Sequence, residues 1–267
     1  MALAIDLSGK TILICGASRG GISGATARTA AVAGAQVVIV DKDQAIVDET
    51  LADVRDAGGQ GHGLVVDLLD PAQTDPLIES LFDRFGRIDG IANVAGGTTA
   101  EEWMPLEQTP TDSFRRTLNL NLEYVFRLCR DYARALIRRK QGGAIVNVGS
   151  VSALTSAPWH GPYGAAKSGI SALTRTMAFE WQYYGIRANT VSPGGVMSKR
   201  VMERPKPDNV TPGSMRDEDF ATTAELANSI VFLLSDLAGG VSGQTLVVDR
   251  ALSTKFCAGM RERGRYD

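Results

Sequence analysis

Seven short runs along the chain are almost wholly apolar and rich in β-branched residues: TILIC (11–15), QVVIV (36–40), GLVVD (63–67), IDGIANVA (88–95), AIVNVGS (144–150), IRANTVS (186–192) and TLVVD (245–249). They do not alternate apolar with polar residues, so each reads as a strand covered on both faces. Between most of them lie stretches of helical composition, at 25–33, 45–57, 74–85, 112–140 and 163–184. Strands that alternate with helices predict βαβ units. The expected fold is α/β, a doubly wound three-layer sandwich around a mostly parallel seven-stranded sheet.

No self-similar period and no linker divides the 267 residues, and 44% hydrophobic residues suffice for a sizeable core. One domain over 1–267 is expected. The stretch of loop composition, SKRVMERPKPDNVTPGSMRDED at 198–219, reads as a substrate loop because a loop this long inside a compact domain is usually functional or disordered.

The first run leads into GASRGGISGA, a turn crowded with Gly16, Gly20, Gly21 and Gly24 and followed by a helical stretch. Strand, glycine turn and helix in that order offer backbone N–H groups and a positive helix end to an anion, here a pyrophosphate. The second strand runs into Asp41, where an acid can bind the adenosine ribose hydroxyls. A carboxylate there repels the extra phosphate of NADP, so Asp41 points to NAD; Arg19 and Lys42 argue the other way.

The formal charge of −2 leaves no basic excess to draw the chain to nucleic acid or an anionic membrane. Cys15, Cys129 and Cys257 form no CxxC pair and their number is odd, so neither disulfides nor a thiolate metal site is expected and the compartment reads as reducing and cytoplasmic. His62 and His160 make no case for a metal site either. The opening MALAIDLSGK lacks a basic leader segment, and no run approaches the roughly 18 apolar residues of a membrane span.

In YGAAK (163–167), the i, i+4 spacing puts Tyr163 and Lys167 on one helix face. An ammonium beside a phenol lowers its pKa, which would let Tyr163 exchange a proton with an alcohol near neutral pH. Ser150 ends AIVNVGS, at the strand edge where parallel α/β sheets place ligands.

Together these pieces resemble the short-chain dehydrogenase/reductase family over almost the whole chain, from about Leu7 to Leu252. The matching motifs arrive in family order: the glycine turn, Asp67, NVAG (93–96), Asn121 in LNLNLEYVF, Ser150, YGAAK and SPGGV (192–196). The resemblance implies a Rossmann-type fold and a catalytic set in which Tyr163 is the acid/base. Lys167 lowers the tyrosine pKa and holds the nicotinamide ribose, Ser150 steadies the substrate oxygen and Asn121 supports a proton relay. It implies a cofactor site of Gly16, Ser18, Arg19, Gly20, Ile22, Asp41, Asp67, Leu68, Asn93, Ala95, Gly96, Tyr163, Lys167, Pro193, Gly194, Val196 and Ser198. It also makes a homotetramer the expected assembly.

Three departures stand out. The family turn reads G-x-x-x-G-x-G, whereas Ile22 follows the extra Gly21 here, leaving Ser23 or Gly24 at the third glycine position. Val94 replaces a frequent asparagine, and VVDRA (247–251) replaces a frequent Asp-Gly-Gly ending. Beyond it, the basic extension from Ser253 to Asp267 is either a frayed tail or a segment crossing a subunit boundary.

Ser150, Ser152, Trp159, Tyr163 and Met197 are the expected substrate contacts, with Trp159 either a flat apolar wall or a packing residue. His160 reads as a rim or packing residue. The expected substrate is a bulky, mostly hydrophobic secondary alcohol or ketone, terpenoid- or steroid-like, oxidised or reduced with NAD(H). The alternatives are an NADPH-dependent 3-oxoacyl thioester reductase and a dinucleotide-binding sensor without catalysis.

Overall fold

The computed structural model describes residues 4–202 and 219–254. Of the expected substrate loop at 198–219, residues 203–218 lie outside the described residues, as do 255–267 of the expected extension from 253.

The seven apolar runs form β1 (Thr11–Cys15), β2 (Gln36–Asp41), β3 (Gln60–Val65), β4 (Gly90–Asn93), β5 (Gly143–Val148), β6 (Ile186–Pro193) and β9 (Thr245–Val248). Their order in the sheet is β3-β2-β1-β4-β5-β6-β9, and every neighbouring pair is parallel. The chain moves outward from β1 to β3, then returns to lay β4 on the other side of β1. That reversal opens a crevice at the carboxyl ends of β1 and β4.

Side chains of each strand alternate between two apolar cores. Leu13, Val38, Ile91 and Ile145 pack under α4 (Leu77–Phe85), α6 (Tyr124–Arg139) and α7 (Gly161–Trp181). Ile12, Ile14, Val37 and Ile39 pack under α1 (Ile22–Val32), α2 (Gln44–Asp56) and α9 (Thr223–Leu234). Both faces are dry, which is why the runs lack polar alternation.

Some element boundaries differ from the sequence expectation. β3 lies three residues earlier at its start than GLVVD, and its edge position tolerates Gln60 and His62. Gly63 lets α2 approach: a Cβ there would stand 2.3 Å from Val47 Cγ1. The predicted 74–85 helix divides into α3 (Pro71–Thr74) and α4, with Pro76 preceding α4. The predicted 112–140 helix divides into α5 (Thr111–Leu118), a π-helical turn (Asn119–Glu123) and α6. Helix α9 was not among the predicted stretches; it starts on a capping box between Thr222 and Glu225. Two short strands, β7 (Val196–Met197) and β8 (Ala221–Thr222), pair in parallel, and α8 (Lys199–Met202) follows β7.

Candidate active site

The glycine turn joins β1 to α1. Helix α1 begins at Ile22 with Gly21 as its N-cap, no side-chain cap and no acid in its first turn. Its leading N–H groups are therefore uncapped by any side chain, as an anion site requires. Gly24 takes the close-packing place left open by the sequence, since a Cβ there would stand 2.2 Å from the Ser18 carbonyl oxygen. Ser23 instead meets Ser18, hydroxyl to hydroxyl at 2.7 Å. Arg19 leans toward α2 and pairs with Asp53 at 3.5 Å. Gly20 accepts a hydrogen bond from Lys199 N at 3.1 Å, joining the turn to the start of α8.

A cleft of about 370 Å³ opens beside this turn. Gly16, Asp41, Asp67, Leu68, Ala95 and Gly96 line it, together with Lys42. Asp41 is held at the end of β2 by Ala17 N–H, which donates to Oδ2 at 2.8 Å. Asp67 accepts from Leu69 N at 2.9 Å. Asn93 is placed differently: it is buried in the sheet, and its amide donates to Asn147 Oδ1 at 2.8 Å and to Cys129 Sγ at 3.3 Å. At the far end, Pro193 closes β6, Gly194 N donates to the Val248 carbonyl at 3.2 Å, and Ser198 N donates to the Val196 carbonyl at 2.8 Å.

The residues expected to form a catalytic set converge where β4 and β5 end. Asn121 sits fully buried on the π-helical turn, an irregularity that often marks functional sites. Its side chain pins Gly97, accepting from Gly97 N at 2.8 Å and donating to Gly97 O at 2.9 Å. Gly96 must lack a side chain: at φ +148° a Cβ would stand 2.7 Å from Asn121 Oδ1 and 3.2 Å from Lys167 Nζ. Lys167 is buried and donates to the Val148 carbonyl at 2.8 Å. Its ammonium lies 5.5 Å from the Tyr163 ring centroid.

Burial governs the titration of the pair. It pushes Lys167 down from 10.5 to about 8. Tyr163 moves upward: burial raises its pKa and the Ser150 hydroxyl pulls the other way. The sequence expectation is a lowered phenol beside an ammonium; the direction here is upward, because desolvation of the phenol outweighs the hydrogen bond from Ser150. Ser150 Oγ accepts from Ser152 N at 3.1 Å, and its own hydroxyl hydrogen-bonds toward Tyr163.

Of the expected substrate contacts, Trp159 is 60% exposed and adopts φ +69°, a strained conformation for a bulky residue. Met197 lies in β7, half-buried. The aromatic neighbour of Tyr163 is His160, 5.7 Å away between centroids, and Trp103 stacks on His160 at 4.3 Å and 18°. His160 Nε2 meets Ser152 Oγ at 3.2 Å, and its Nδ1 donates to the Pro158 carbonyl at 2.9 Å. Trp103 and the buried Glu102 escaped the sequence reading; TTAEEW carries no periodic signal that would single them out.

At the end of β9, Arg250 and Ala251 hold φ of +51° and +66°, the left-handed conformation that the family's two glycines would adopt freely. Asp249 secures this bend by accepting from Ala251 N at 2.9 Å and Ser253 N at 2.7 Å. Among the described residues no helix is long and apolar enough to cross a membrane, and no group of three potential metal ligands occurs.

Residues 16–253 match the family described as enoyl-(acyl carrier protein) reductase. The chain is 35% identical over 248 residues to (5R,7aS)-5-hydroxy-7a-methyl-1-oxo-2,3,5,6,7,7a-hexahydro-1H-indene-carboxyl-CoA reductase of Mycobacterium tuberculosis, covering 91% of this chain and 92% of that protein. It is 31% identical to D-threitol dehydrogenase of Mycolicibacterium smegmatis, over 93% and 95% of the two chains. A solved 7α-hydroxysteroid dehydrogenase, complexed with NADH and 7-oxo glycochenodeoxycholic acid, superposes with a TM-score of 0.80 at 28% identity, over 92% and 94% of the chains. With its parallel sheet, glycine turn and converging serine, tyrosine and lysine, the chain belongs to the short-chain dehydrogenase/reductase family of oxidoreductases.

Proposed function

We propose that the protein transfers a hydride between NAD(H) and a bulky, mostly hydrophobic secondary alcohol or ketone. The observation that carries this reading is the meeting of Asn121, Ser150, Tyr163 and Lys167 beside a cleft whose residues fit a dinucleotide. The fit rests on the uncapped start of α1 and on Gly96, where a Cβ would collide with Asn121. Asp41 at the lip of the cleft favours NAD over NADP by charge, against the neighbouring Lys42.

The bound nicotinamide would supply the hydride acceptor or donor. Tyr163 would exchange the proton of the substrate oxygen, while the Ser150 hydroxyl, keeping its proton, would steady the same oxygen through a hydrogen bond. Lys167, anchored on Val148, and Asn121, anchored on Gly97, keep the site in shape. Trp103, stacked on the His160 that neighbours Tyr163, and Trp159, next to His160 in the chain, are both more than half exposed and would provide apolar surface for a large substrate.

The chain is further read as one domain working as a homotetramer in the cytoplasm. The groove between α6 and α7, lined by Phe126, Ile137, Leu173 and Trp181, supports association, and the buried free thiols of Cys15 and Cys129 support a reducing compartment. Light scattering tests the assembly.

The direct test follows absorbance of the reduced cofactor across small, monocyclic, bicyclic and steroidal secondary alcohols, with NAD and NADP in parallel and Tyr163→Phe as control. Turnover of a cyclic alcohol with NAD, lost in the variant, supports the reading. Activity with NADP alone would overturn the cofactor assignment.

A further inference from the structure

Residues 97–104 run as a strap from one side of the active site to the other. At one end Asn121 pins Gly97. At the other, Trp103 stacks on His160 and Met104 N donates to the Trp159 carbonyl at 2.8 Å. Within the strap, Trp103 Nε1 donates to Thr98 Oγ1 at 2.8 Å.

Between these ends sits Glu102, a carboxylate with only 5% of its side chain exposed. Burying a charge is costly unless it is bonded, and Glu102 is bonded on several sides. Its Oε2 accepts from Thr99 N at 2.8 Å, while Oε1 accepts from Arg116 Nε at 3.0 Å and from Thr117 Oγ1 at 3.4 Å. Arg116 and Thr117 belong to α5, and the Thr117 carbonyl accepts from Asn121 Nδ2 at 3.0 Å. One buried carboxylate thus ties the strap to the helix that leads into the catalytic asparagine.

We propose that Glu102 is a positioning residue: it fastens the strap to α5 so that Trp103 is held on His160 beside Tyr163. Resting on the function proposed above, the held indole is the surface that selects substrates presenting a ring. Glu102 touches no reacting atom, so its removal acts on how well a ring is seated rather than on proton transfer.

The test compares Glu102→Gln, Trp103→Ala and the milder Arg116→Ala, whose target is an exposed side chain. The expected result is a KM for a cyclic substrate raised about tenfold in Glu102→Gln, the scale of one charge-assisted hydrogen bond, with kcat changed by less than about threefold. A small acyclic alcohol keeps its KM, so the preference for rings falls, and Trp103→Ala shows the same loss. A second readout needs no substrate: with Trp159→Phe and Trp181→Phe in place, acrylamide quenching of Trp103 rises when Glu102 is replaced. Greater quenching in a protein that turns over no cyclic substrate would keep the fastening and refute the substrate class. Unchanged quenching, or an equal loss of kcat on ring and acyclic substrates, would overturn the proposal.

Discussion

Lys167 Nζ donates to the Val148 carbonyl at 2.8 Å, joining helix α7 to the end of strand β5 from a fully desolvated position. The bond aims the ammonium along the face that also carries Tyr163, and the burial that secures it lowers the lysine pKa to about 8.

This burial makes a stability prediction. Below about pH 8 the folded protein must hold a buried ammonium. Between there and 10.5 the unfolded chain still binds a proton that the folded chain has released, so stability rises with pH across that window. Lys167→Met is expected to be about 2 kcal/mol more stable than the parent protein at pH 7 and catalytically dead. Denaturation at several pH values checks this: the margin should shrink as pH climbs from 8 toward 10.

Tyr163 holds its proton into the alkaline range because burial raises its pKa. Ketone reduction, which needs the phenol as acid, should be flat through neutral pH, while alcohol oxidation climbs on the alkaline side. Tyr163→Phe should lower kcat in both directions by about 10³-fold or more while leaving the melting temperature close to that of the parent. Rate profiles in each direction would expose a tyrosine with a lowered pKa as an oxidation limb already flat at pH 7.

Asp41 closes β2 with its carboxylate held by Ala17 N–H. Asp41→Ser should weaken NAD binding and improve NADP binding, changing the ratio of the two affinities by at least about tenfold. Titrating each dinucleotide by protein fluorescence measures the ratio; an unchanged ratio would remove Asp41 from cofactor selection.

Arg250 and Ala251 occupy left-handed backbone that costs a side-chain-bearing residue about 1 kcal/mol or more. Ala251→Gly should relieve that strain and raise the melting temperature by about 3 °C, less the added entropy of the unfolded chain. Arg250→Gly should gain less, because it also loses the ion pair with Glu225 at 2.9 Å.

Asn121 is fully buried and makes three hydrogen bonds, two to Gly97 and one to the Thr117 carbonyl. Asn121→Ala leaves those backbone groups unpaired and should cost about 2–3 kcal/mol of stability along with most of the activity. Urea denaturation and single-turnover rates, measured together, separate the two losses.

The strands, the doubly wound parallel arrangement and the placing of Tyr163 and Lys167 on one helix were legible in the residues, because each leaves a local trace. An unbroken apolar run implies two covered faces, and i, i+4 spacing implies one helix face. Asp41 and the glycine turn were legible for the same reason, as features of a strand end and a helix start. What escaped was whatever depends on residues distant in the chain. The π-helical turn under Asn121 forms where Gly97, far earlier in sequence, meets its side chain. Trp103 finds His160, and Glu102 finds Arg116, only once the strap has crossed the site. Even the sign of the Tyr163 shift follows from burial, which spacing cannot express: Tyr163 and Lys167 share a helix face at any i, i+4 spacing, but only packing buries Lys167 and half-buries Tyr163.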